Sequence, residues 1–61
     1  MLKANNLWEA NQLRKITTVA ACDEKINQAG EWFGRSRTEA ERDDCRDKIA
    51  FLKKLREQLA A

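Results

Sequence analysis

The chain has 61 residues, 12 basic and 10 acidic, with net charge +2 and no histidine, tyrosine or proline. A chain this short makes one domain at most, residues 1–61, and buries only about 60% of the surface its unfolded form exposes; below roughly 70–80 residues a staple, a metal or an oligomer partner is the usual remedy. The near-balanced charge speaks against an electrostatically driven nucleic-acid binder. The missing histidine and tyrosine, the single serine (Ser36) and the lack of a glycine-rich phosphate loop speak against an enzyme and against a bound cofactor.

Alanine, leucine, glutamate, lysine, arginine and glutamine dominate, few residues are β-branched, and no run alternates apolar with polar. These are helix-forming choices, so the fold class expected is all-α. Met1-Leu2-Lys3 is not followed by the apolar segment of a secretory signal, and no apolar run approaches the length of a bilayer span. The expectation is a cytoplasmic protein without membrane contact, its cysteines reduced.

The first helix is predicted from about residue 6 to residue 30, with Asn5 or Asn6 as its N-cap. Thr17-Thr18-Val19 is a weak point, β-branched at successive positions. A break there would yield three shorter helices. One long helix is the preferred reading, since no glycine, proline or cap pattern interrupts it.

The clearest punctuation is Gly30-Glu31-Trp32-Phe33-Gly34-Arg35-Ser36-Arg37-Thr38. Two glycines four apart suit a helix C-cap, because glycine accepts the left-handed conformation a cap requires. The turn is therefore placed at residues 31–38. Thr38 followed by Glu41 fits a capping box for the next helix, with Ser36 and Glu39 offering the same pattern two residues earlier. Acidic residues crowd the following turns and Lys53, Lys54 and Arg56 lie toward the other end, as the helix dipole prefers. This second helix is predicted over residues 39–60.

Cys45, Ile49, Leu52, Leu55 and Leu59 form an apolar stripe on it. The first helix offers Trp8, Leu13, Ile16, Val19 and Cys22. In an antiparallel hairpin, facing residues are equidistant from the turn centre. The pairs Trp8/Leu59, Leu13/Leu55, Ile16/Leu52, Val19/Ile49 and Cys22/Cys45 all point to one centre at Phe33–Gly34, between the glycines. The expected fold is an antiparallel two-helix hairpin with Cys22 opposite Cys45. Phe51, Ala20 and Leu13 widen the stripes beyond a two-helix contact. At about 25 cal/mol per Å² of apolar area, covering them is worth several kcal/mol. Two hairpins packed as a homodimeric four-helix bundle would do so. In size and architecture such a hairpin resembles the Rop-type plasmid regulators; the resemblance implies a dimeric bundle and extends to no residue motif.

Cys22 and Cys45 are either a disulfide closing 22 intervening residues, worth about 3 kcal/mol by loop entropy, or two packed thiols; a reducing compartment favours thiols. Without histidine they make only half a structural zinc site, so no metal is expected. Asp43 and Asp47 share a helical face, but dipole complementation and pairing with Arg42, Arg46 and Lys48 account for them better than a cation does. Asp23 is expected to pair with Arg46 or Arg42. Trp32, Phe33, Arg35 and Arg37 combine the residue types of interface hot spots, and with Phe51 they are the partner-binding candidates. The preferred account has both rings closing the bundle end over Ala29 and Ile26, since that end otherwise exposes its core.

The function expected is a small non-enzymatic interaction or regulatory protein acting through helical surfaces as a homodimer, of a size common among phage and plasmid proteins. Docking on another protein through the Trp32–Phe33 loop or the apolar flanks is a further possibility. The alternative is a nucleic-acid-binding regulator using Arg46, Lys48, Lys53, Lys54 and Arg56, though interspersed acids suit a solvated face.

Overall fold

A computed structural model describes residues 2–61, and those residues are all-helical: α1 (Leu7–Lys15), α2 (Val19–Arg35) and α3 (Glu39–Ala60). Each helix begins on a side-chain cap. Asn6 Oδ1 accepts from the Glu9 amide at 2.8 Å, Thr18 Oγ1 from the Ala21 amide at 3.1 Å, and Thr38 Oγ1 from the Glu41 amide at 3.2 Å. Glu9 and Glu41 reach back to the amides of Asn5 and Arg37, at 2.8 and 3.0 Å, so two caps are reciprocal. Reciprocal caps satisfy amide groups that have no partner within the helix.

Two expectations about the helix boundaries are corrected. The single first helix is broken, because Ile16 leaves α1 with an extended backbone (φ −95°, ψ 107°) and Thr18 opens α2. Thr18 is the signal overlooked: its hydroxyl caps a new helix, which a β-branched pair inside a continuous helix would not do. The turn also lies further along. α2 runs through Gly30 and Gly34 to Arg35, and neither glycine has positive φ. Ser36 ends the helix instead, its hydroxyl donating to the Trp32 carbonyl at 2.9 Å and its amide to that of Phe33 at 3.2 Å. Thr38 then caps α3, which matches the predicted second helix.

α2 and α3 pack as an antiparallel pair joined by this three-residue connection. Moving the turn slides the seam. Cys22 is fully buried against Leu52, its thiol donating to the Leu52 carbonyl at 3.1 Å. Leu52 lies one heptad beyond Cys45, on the same stripe of α3. Cys45 is half-buried beside Ser36, with Sγ 3.8 Å from the hydroxyl, and both cysteines are free. The expected Cys22–Cys45 facing pair is therefore not formed, and no disulfide joins them. Asp23 meets Arg56 at 2.5 Å, in place of Arg46 or Arg42.

The core is Ile16, Cys22, Leu52 and Leu55, flanked by Leu2, Trp8, Leu13, Ala21, Ile26, Ala29 and Leu59. α1 folds back onto α3. Trp8 meets Phe51 edge-on, with ring centroids 6.1 Å apart, and the Leu2 amide donates to Gln58 Oε1 at 2.8 Å. Phe51 is left only 6% exposed. Helix α1 thus covers, within the chain, an apolar flank that a second copy was expected to cover. Gln12 is buried in this packing, and its Oε1 has no hydrogen-bond partner.

Candidate interaction surface

Where α1 stops covering it, the α2–α3 seam opens into a groove of about 490 Å³. Ala29, Ser36, Cys45 and Leu52 lie along it, and the indoles of Trp8 and Trp32 border it. Three of these four, Ala29, Ser36 and Cys45, are small. They leave the helices with little side-chain volume between them, which explains the depression.

Trp32 is 65% exposed, on the α2 lip of the groove. The sequence placed it in a loop; it stands instead on the last full turns of α2, because the helix continues through Gly34. Its neighbour Phe33 points elsewhere. The Phe33 ring is half-buried with the Arg46 guanidinium 5.5 Å from its centroid, a cation–π arrangement. The two rings that adjacent sequence positions suggested as one hot spot therefore serve different faces, as a 100° step per residue requires. Arg35 is exposed on the groove lip, whereas Arg37 lies in the connection. Phe51, offered as a partner contact, is covered by Trp8 and is not available as an exposed anchor. Among the described residues, the other large exposed apolar side chain is Leu7, 77% exposed at the start of α1.

Charge around the groove is basic on the α2 lip and mixed on the α3 lip. The α2 lip carries Lys25 and Arg35, and the α3 lip carries Glu41 and Asp44. Lys48, also on α3, is held by Asp44 at 2.9 Å and sits 5.3 Å from the centre of the Trp8 ring. Of the basic residues of α3, Arg46 pairs with Asp43 at 3.3 Å and Arg56 with Asp23. Such exposed pairs orient side chains more than they stabilise the fold.

The buried Cys22 thiol is not set up as a nucleophile by its surroundings. Burial, and then the neighbouring Asp23 carboxylate, push the Cys22 thiol above its ordinary pKa, which keeps it neutral. No group of three or more acidic or thiol side chains gathers around one point among the described residues. Among those residues, no helix is long and apolar enough to cross a membrane. Comparison finds no family model, no curated protein and no solved structure that matches this chain.

Proposed function

We propose that this chain is a small non-enzymatic interaction protein that acts in the cytoplasm through its helical surfaces, as a homodimer. The observation that carries this reading is Trp32, 65% exposed beside an open groove in a chain whose buried apolar side chains, among the described residues, are Ile16, Cys22, Phe51, Leu52 and Leu55. An indole held on a rigid helix is a common interface anchor, and its exposure costs apolar hydration that a partner removes. A small core leaves folding stability short, which association supplements. Helix α1 already covers Phe51, so the bundle we propose pairs the two α2–α3 hairpins on their remaining open faces. Sedimentation equilibrium over a range of protein concentrations, with and without reductant, tests it. A dimer indifferent to reductant supports the reading; a chain that stays monomeric throughout sinks self-association.

A further inference from the structure

The groove between α2 and α3 has a floor of small side chains, an exposed indole on one lip, and at its turn end Arg35 on the α2 lip across from Glu41 on the α3 lip. We propose that it is the surface on which two copies of this chain meet, each Trp32 seating in the groove of the other. This rests on the homodimer reading and specifies where and how the copies join.

The choice of a second copy follows from the charge arrangement. Arg35 and Lys25 lie on the α2 lip, and Glu41 and Asp44 on the α3 lip. A two-fold axis running along the groove lays the α2 of each copy over the α3 of the other, so at the turn end Arg35 meets the acidic start of α3 twice by one operation. An isologous interface has this self-complementarity, in which residue i meets j and j meets i. The register agrees. Arg35 and Glu41 flank the short 36–38 connection at the same end of the hairpin. An axis along the helices brings both turns to one end and each Arg35 over the Glu41 of its partner. Turning the second copy end-for-end would instead set Arg35 toward Lys25, which is unfavourable.

Shape supports the same arrangement. The floor at Ala29, Ser36 and Cys45 lies between two indoles, and about 490 Å³ falls within the range of pockets that enclose a ligand group. Small floor residues let a facing helix approach closely while a large ring fills the depression, as in knobs-into-holes packing. Among the described residues, Trp32 is the large exposed apolar group beside that depression; Leu7 lies away from it on α1.

The test compares wild type, Trp32→Glu, Arg35→Glu and Leu7→Glu by sedimentation equilibrium, with far-UV circular dichroism confirming helix content. It also follows the rate at which Cys45 reacts with an aromatic disulfide reagent as protein concentration rises. Cys22, fully buried, is the internal control. The expected results are a wild-type dimer, a dissociation constant raised about thirtyfold by Trp32→Glu, about tenfold by Arg35→Glu and not at all by Leu7→Glu. Reaction at Cys45 should slow as the dimer forms. A wild-type dimer that Trp32→Glu leaves intact, with Cys45 equally reactive at all concentrations, overturns this surface and leaves the homodimer standing. Tightening by Arg35→Glu overturns the two-fold arrangement. A wild-type monomer overturns both.

Discussion

Replacing Gly30 by alanine tests the central feature of the fold, the passage of α2 through both glycines. Gly30 lies inside α2 with no positive φ, and a methyl group added there meets nothing within 4 Å. The substitution therefore adds no clash and only reduces the backbone freedom lost on folding. Glycine is about 0.8–1.0 kcal/mol worse than alanine in a helix interior. Gly34 is equally unobstructed but lies in the last turn, where fraying reduces the gain, so the pair is expected to contribute about 1.5 kcal/mol. In a domain of this size about 1 kcal/mol moves the melting temperature by about 4–8 °C. Thermal and urea unfolding followed by far-UV circular dichroism, at one fixed protein concentration, reads the change directly. Were either glycine a left-handed C-cap, alanine would cost about 1–2 kcal/mol there. A fall in melting temperature for Gly30→Ala would refute the continuous α2.

Gln12→Met should be neutral or stabilise by about 1 kcal/mol, because it removes a buried carbonyl oxygen that has no partner, and urea unfolding measures it. Leu52→Ala should cost about 2–5 kcal/mol, most of what a small core supplies, so the variant should lose its cooperative melting transition. The pH dependence follows from Cys22, whose folded pKa is raised above the unfolded value of about 8.5. Its contribution to stability is full below that value and is lost as pH rises above it, since the unfolded thiol ionises first. The urea midpoint of wild type should therefore fall between about pH 7 and about pH 10 by more than that of Cys22→Ala. Heparin chromatography at low salt checks the basic face: with Arg46, Lys48 and Arg56 each held by an acid, elution near the void volume is expected.

How legible the molecule was depends on the range of the interactions involved. Thr38 and Glu41 lie within one turn, and the cap they form needs nothing beyond that turn; Asn6 and Glu9 behave alike. The Thr17–Thr18 weak point alone does not decide the break at Ile16–Thr18, because a continuous helix and two capped helices differ little locally. What separates them is the burial of Ile16 and the docking of Trp8 on Phe51, which only the bent chain allows. The candidate surface fared similarly. Residue type makes Trp32 a partner candidate, but its separation from Phe33 and the covering of Phe51 depend on helix phase and on where α1 lies.

The glycines show the same division. Alone, each prefers a cap or a turn; embedded in a helix whose Cys22, Ile26 and Ala29 face α3, each is carried along at a cost smaller than the burial gained. That extension carries the seam one heptad, and a heptad shift returns every stripe residue to the same face. The apolar stripes, the helical class and the terminal caps were therefore determined by the sequence alone. Which stripe residue meets which, Cys22 with Leu52 and not with Cys45, was decided only by the tertiary structure, because a periodic pattern defines a face and leaves the register along it to packing and the turn.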